Sequence, residues 1–300
     1  MEEQFDIQKT FEEIVEKEKT VSLPVVAVKV LTEFIKQGKT STLQEFMKNL
    51  QTASETLKAL NPISVSAGCD LFLRFITRTT HDVTNLELCK KHIVEKGEQF
   101  IEQSEIRRHN IAELGMQFIK DDSTILIHSY SRVVMLLLQN ASKAKKRFRV
   151  FVTEARPSTN GQRAVDELTK ANIPATLILD AAVGFIIGKV DMVMVGAEGV
   201  VENGGIINQI GTYQIAVVAK AANKPFYAVT ESYKFVRIFP LNQYDVVSST
   251  LDNSNHEPNE ISLEKQTVDY TPPEYISLLF TDLGVLTPSG VSDELIKWYY

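Results

Sequence analysis

Two cysteines and a single tryptophan in 300 residues, with no long apolar run and no surplus of positive charge, set the first limits on this chain. Cys69 and Cys89 show neither CxxC nor Cys/His ligand spacing, which speaks against a disulfide framework and against a zinc site. They read as small buried hydrophobes of a reducing compartment. No apolar stretch reaches the ~18 residues of a membrane span, and the acidic start MEEQFDIQKTFEE lacks the apolar core of a signal peptide. A formal net charge of −6 and an isoelectric point near 5.5 argue against nucleic acid as the main partner, because phosphates call for a basic surface. Also missing are GxGxxG after the first predicted strand, GxxxxGK(S/T) and GxSxG. These mark dinucleotide binding, Walker-type nucleotide binding and a nucleophile elbow. The expectation is a soluble, cytosolic protein with no metal site, no membrane contact and no direct nucleic-acid partner.

What is present suffices for a sizeable core and two domains, since 44% of the residues are hydrophobic. Residues 1–120 carry apolar spacing near 3.6 and predict a helical domain. Ile7, Phe11, Ile14 and Val15 form one face, Pro24 suits a first helical turn, and Thr42 to Glu45 fits a capping box. The long pattern from Leu88 to Phe118 is studded with charge.

From Asp121 the rhythm changes to short β-rich runs at 124–128, 149–153, 175–179, 192–195, 226–229 and 278–280, separated by helix-length segments. Near-continuous apolar runs of this kind predict a parallel sheet covered on both faces, an α/β, Rossmann-like doubly wound domain over 121–300. The polar stretch 242–274 is expected to be a long surface loop, and the chain's last residues a loop, one Ser/Asp-capped helical turn and an aromatic tail.

In such a sheet ligands bind beyond the carboxyl ends of the strands. Those ends carry His128-Ser129-Tyr130-Ser131-Arg132, Glu154-Ala155-Arg156-Pro157, Asp180, Gly196-Ala197-Glu198 and Thr230-Glu231-Ser232. Hydroxyls, arginines and carboxylates on one rim, with helix N-termini nearby, suit a small anionic ligand. Each residue also has a plainer reading. Ser129 serves equally as a helix N-cap, Arg156 as a salt-bridge partner of Glu154 or Asp180, and Asp180 and Glu198 as helix caps. No His or Cys is placed to complete an acid/base pair with them. The glycine-rich stretch VGAEGVVENGGIINQIGTY (Val195 to Tyr213) looks like a strand, a phosphate-pocket turn and a helix start.

These residues resemble a known family. Val195 to Ser232, together with KFVRIFPLNQYDV, ILIHSYSRVV, SAGCDLFLRFI and FTDLGVLTPSGVSDELIKWYY, resembles the alpha-subunit family of eukaryotic translation initiation factor 2B over nearly the whole chain. The C-terminal half is also similar to methylthioribose-1-phosphate and ribose-1,5-bisphosphate isomerases, whose pattern runs THCN, ETRPxxQG and GADRIxxNGDxxNKIGT. Along that pattern the catalytic cysteine falls on Ser129 and the catalytic aspartate on Glu198. The Gln of the second motif becomes Asn160 and the Lys of the third becomes Gln209, while Arg156, Asn203 and Asn208 persist. A serine hydroxyl is a far weaker nucleophile than a thiol, and a lost lysine removes a phosphate counter-charge.

The resemblance therefore implies a non-catalytic, regulatory subunit rather than an isomerase. Such a subunit forms a homodimer that joins two beta–gamma–delta–epsilon tetramers into a decamer, and epsilon carries the exchange of guanine nucleotide. It also helps sense phosphorylation of the alpha subunit of translation initiation factor 2. Partner contact is expected around Thr40, Ser41, Gln44, Glu45 and Lys48, whose plainer reading is a solvated helix face, and at Trp298, Tyr299 and Tyr300. No cofactor is required. A sugar phosphate or nucleotide monophosphate is the expected rim ligand, over Ser129, Arg132, Arg156, Asn160, Asp180, Glu198, Asn208 and Gln209.

Overall fold

A computed structural model describes residues 5–61, 63–82, 85–250 and 266–299. The chain divides into two compact units, Met1–Ile106 and Arg107–Tyr300. The division falls inside a helix, ahead of the position 120 expected from the change in periodicity.

The first unit is helical. It contains α1 (Ile7–Lys17), α2 (Leu23–Gln37), α3 (Leu43–Leu60), α4 (Ser64–Asp82) and the larger part of α5 (Leu86–Met116). Local chemistry sets the starts: the Asp6 side chain accepts the Lys9 N–H, and Pro24 lies in the first turn of α2. At α3 the Thr42 hydroxyl accepts the Glu45 N–H at 3.2 Å, and the Glu45 carboxylate accepts the Ser41 N–H at 3.2 Å. The return bond thus lands one residue earlier than in a standard capping box. The apolar faces meet in a core of Val26, Val30, Leu31, Leu50, Leu57 and Ile76, with both free cysteines buried among them. Each such aliphatic side chain contributes about 1.5–3 kcal/mol by leaving water.

The second unit is α/β. Its strands are β1 (Ser123–His128), β2 (Phe148–Thr153), β3 (Ala175–Ile178), β4 (Met192–Val195), β5 (Gly199–Val200), β6 (Ile206–Gln209), β7 (Phe226–Val229), β8 (Val268–Thr271), β9 (Leu278–Thr281) and β10 (Gly284–Leu286). Its helices are α6 (Arg132–Lys143), α7 (Asn160–Lys170), the short α8 (Val183–Ile186), α9 (Thr212–Ala221), α10 (Gln243–Thr250) and α11 (Pro288–Tyr299). Seven strands form one sheet in the order β10-β9-β7-β4-β1-β2-β3, parallel except for β10. β1 is buried along its whole length because both faces are covered. Ile125 and Ile127 pack with α6 and α7, while Leu126 packs on the other side with α8 and α9. The chain winds from β1 out to β3, then returns to β4 on the opposite side of β1. That reversal opens a crevice at the carboxyl ends of β1 and β4.

Three expectations need correction. The stretch 242–274 is not one surface loop: it contains α10, and β8 pairs antiparallel with β6 in a second, three-stranded sheet. Val268, Tyr270 and Thr271 are buried there, and Gln243 bonds the backbone of Tyr270 at both its N–H and its carbonyl. Burial and those bonds outweigh the polar composition; residues 251–265 lie outside the described residues. The chain ends in a three-turn helix, α11, and its first turn is capped by the Thr287 hydroxyl rather than by a Ser/Asp pair. Third, the helix start expected after the glycine-rich turn does stand at α9, but β4 does not lead to it through a simple turn. Asn203, Gly204 and Gly205 turn the chain into the β5–β6 hairpin instead, with Gly204 at φ +83°, a left-handed conformation open to glycine. No described helix is long and apolar enough to cross a membrane.

Candidate functional site

The crevice between β1 and β4 is walled first by His128 and Ser129. His128 is buried; its Nε2 lies 2.8 Å from the Ile210 carbonyl and its Nδ1 2.6 Å from the Thr153 hydroxyl. A carbonyl only accepts, so Nε2 carries the proton and Nδ1 accepts from Thr153. Burial lowers the imidazole pKa and favours this neutral form. Ser129 has φ +60° and donates its hydroxyl to the Gln209 side chain. It is not the N-cap of α6; that position belongs to Ser131. Ser129 and Gln209 are thus brought together, and both imidazole nitrogens are committed elsewhere.

The second wall is ionic. Glu231, just past β7, is 1% exposed. Its carboxylate meets Arg108 Nε at 3.3 Å, Lys234 Nζ at 2.8 Å and the Tyr233 hydroxyl at 3.1 Å. Burial alone would raise this carboxyl, but Lys234 and Arg108 outweigh it and hold its pKa down to about 2. The Arg132 guanidinium stands in the field of the same groups, its pKa lowered by burial and by Arg108. Burial also raises the Glu198 carboxyl against the pull of Lys234, which donates to the Ala197 carbonyl at 3.0 Å. Beside Glu231 the Thr230 hydroxyl is fully buried with no hydrogen-bond partner, an uncommon condition that a bound polar group would relieve.

The glycine-rich turn closes the rim. Asn208 Nδ2 donates to the Thr212 hydroxyl at 3.0 Å, and that hydroxyl donates to the Gln209 carbonyl at 2.6 Å. The N–H groups at the start of α9 are taken by the protein's own carboxylate. Asp269 Oδ2, from β8, accepts the Gly211 and Tyr213 N–H groups at 2.8 and 3.0 Å.

Comparison with known proteins places this arrangement. The profile of the family described as "Initiation factor 2 subunit family" matches residues 18–288. The chain belongs to the Initiation factor 2 subunit family. It is 46% identical to "Translation initiation factor eIF2B subunit alpha" of Dictyostelium discoideum, over 96% of this chain and 95% of that one. It is 32% identical to a ribose 1,5-bisphosphate isomerase of Archaeoglobus fulgidus, over 82% of this chain and 78% of the relative. The same fold occurs in the tetrameric eIF2B-beta2-delta2 complex from C. thermophilum, with a TM-score of 0.80 and 19% identity over 98% of this chain and 96% of that chain. The chain's relatives thus include a protein described as a translation-factor subunit and one described as an enzyme.

Within this family member the expected rim residues separate into two groups. Ser129, Arg132 and Glu198 follow the carboxyl ends of β1 and β4, and Asn208 and Gln209 end β6, with Gln209 bonded to Ser129. Arg156 and Asn160 belong to the neighbouring 154–161 turn: Arg156 is 67% exposed at its side chain and pairs with Glu154 at 3.2 Å. Asp180 does not cap its own helical turn; its two oxygens accept the Ala155 and Arg156 N–H groups, each at 2.9 Å. Glu198 precedes β5 rather than a helix, and its N–H bonds the Ile207 carbonyl. In the helical unit Gln44, Glu45 and Lys48 are exposed, but Thr40 is half-buried and its carbonyl accepts from Lys90 at 3.4 Å. Trp298 and Tyr299 lie on the α11 backbone; their side chains, and Tyr300, are outside the described residues. Sequence reasoning missed Arg108, Lys234 and Asp269. The signal for Lys234 was its spacing three residues after the strand-end Glu231; Arg108 and Asp269 gave none.

Proposed function

We propose that this chain is the alpha-type, non-catalytic regulatory subunit of a translation initiation factor 2B exchange complex. The observation that carries the reading is the 46% identity to an eIF2B alpha subunit along nearly the entire length of both chains. The rim supports the absence of isomerase chemistry. A serine nucleophile needs an adjacent base, and here the Ser129 hydroxyl proton is given to Gln209 while His128 is bonded at both nitrogens. In this reading the chain forms a homodimer in the cytosol that joins beta, gamma, delta and epsilon subunits, leaves nucleotide exchange to epsilon and helps sense the phosphorylated alpha subunit of initiation factor 2. Co-purification with beta and delta subunits, and sizing of the isolated chain as a dimer, test it; a monomer that joins neither subunit refutes it.

The rim supports a second, compatible reading: it holds a sugar phosphate or nucleotide monophosphate as a sensing ligand. Arg108 and Lys234 meeting at the buried Glu231, with Arg132 in their field and the unpartnered Thr230 hydroxyl next in the chain, are the observation in favour. Melting temperatures that stay flat at millimolar sugar phosphate count against a ligand, and conversion of ribose 1,5-bisphosphate by the purified protein would restore the enzyme reading.

A further inference from the structure

One peptide unit of the rim is held at both ends. The Ile210 carbonyl accepts from His128 Nε2 at 2.8 Å, and the Gly211 N–H of the same unit donates to Asp269 Oδ2 at 2.8 Å. A trans peptide is planar, with its N–H and C=O pointing in opposite directions, so whatever orients one orients the other. The units on either side have bonds of their own, from the Ile210 N–H to the Thr267 carbonyl and from the Ile215 N–H to the Gly211 carbonyl. The Thr153 hydroxyl at Nδ1 does not choose between the two neutral forms of the imidazole, because a hydroxyl both donates and accepts. The Ile210 carbonyl does choose, because it only accepts and so requires the proton on Nε2. Gly211 itself does not fix that carbonyl. It sits at φ +102°, and glycine takes either sign of φ at little cost. With this one peptide turned over, the Gly211 N–H would face Nε2, and the imidazole would carry its proton on Nδ1 and donate it to Thr153.

We propose that Asp269 is a positioning residue for His128: by holding the Gly211 N–H it orients the Ile210 carbonyl, and so keeps the imidazole in its Nε2–H form. This role goes beyond capping α9 and holds whether or not the rim takes a ligand. It traces the lack of a free base beside Ser129 to a carboxylate on another strand. With Nε2 donating to Ile210 and Nδ1 accepting from Thr153, His128 has no lone pair left for the Ser129 hydroxyl, which goes to Gln209 instead. The contact is close enough for the two ends to sense each other, since a Cβ on Gly211 would lie 3.0 Å from His128 Cε1. A carboxylate that served only as a helix cap, through the Gly211 and Tyr213 N–H groups, would stabilise α9 and leave the form of the imidazole unaffected by its removal.

The test follows the imidazole nitrogens by nitrogen NMR on the full chain labelled at histidine, at neutral pH, where burial keeps His128 uncharged. The chain has five histidines, and substituting the other four one at a time assigns His128. Wild type is expected to show the Nε2–H form alone. In Asp269→Ala the Nδ1–H form is expected to appear, with loss of Nε2–H signal. Asp269→Asn, whose amide oxygen has two lone pairs for the same two N–H groups, is expected to restore the wild-type spectrum. A folded D269A that keeps the Nε2–H form alone overturns the proposal and leaves Asp269 a helix cap. A wild type that shows the Nδ1–H form overturns it as well. Should D269A not fold, Thr153→Val gives the answer. With the Nδ1 partner gone and Asp269 in place, the Nε2–H form is expected to persist; a change to Nδ1–H means that Thr153 sets the form, and the proposal is overturned.

Discussion

Asp269 offers a direct measurement of which of two opposing forces governs the rim's rear wall. Its Oδ2 accepts two N–H groups at the start of α9, while its Oδ1 is buried with no partner. Burial pushes the carboxyl up to about 7 from an ordinary 3.8, against the N–H groups of Tyr213, Gly211 and Thr212, which pull it down. A carboxyl whose folded pKa is raised contributes stability that is complete below its unfolded pKa and is lost as pH rises through the folded value. The window here runs from about pH 4 to 7, and one proton of difference is worth about 1.4 kcal/mol per pH unit. Wild type should therefore lose up to about 3 kcal/mol between pH 5 and 7 relative to Asp269→Asn, in which this group does not titrate. Urea unfolding of both proteins at each pH isolates the effect, because every other titrating group is common to the two. A difference that stays constant from pH 5 to 7 refutes the reasoning. It would mean that the N–H groups win and the carboxylate is ionised throughout, an ordinary helix cap.

Two further substitutions test the local arguments. A Cβ added at Gly161 would sit 2.0 Å from the Thr153 carbonyl oxygen and 2.8 Å from the Glu154 Cα, both backbone. Gly161→Ala should then cost about 3 kcal/mol or more by forcing α7 away from β2, and an unchanged urea midpoint would contradict that close approach. Thr42→Ala removes the side-chain acceptor at the start of α3 and should cost about 1 kcal/mol; thermal melting shows it, and no loss means the Ser41–Glu45 bonds cap the helix alone.

The parts of the fold that were legible were those decided within a few residues. Ile125-Leu126-Ile127 announces a strand buried on both faces because every position is apolar, and all six expected parallel strands occur where such runs stand. β8 was hidden because Val268-Asp269-Tyr270-Thr271 is short and half polar, and what makes it a strand lies far away: β6 on one side and Gln243 above it. The same distance hid the site. Arg108 sits in a long pattern studded with charge where no single residue stands out, yet it meets a glutamate 123 residues later. Asp269 fills a helix terminus that the glycine-rich turn, taken alone, offers to a phosphate. Local sequence showed that the terminus exists; only the fold showed that it is already taken.

Catalysis and the attraction of an anion place different demands on such a rim. Proton abstraction and nucleophilic attack depend on atoms held within fractions of an ångström, so replacing a thiol by the Ser129 hydroxyl, or lengthening an aspartate to Glu198, removes most of a rate. Attraction of an anion depends on net charge in a poorly solvated space and falls off gently with distance. Arg108 and Lys234 come from separate elements and both meet Glu231, so that ion set does not depend on Ser129 or Gln209. Selection for regulation requires only that occupancy change with ligand concentration. A rim proposed to hold an anion is therefore judged by its charged groups rather than by the residues that a reaction would need.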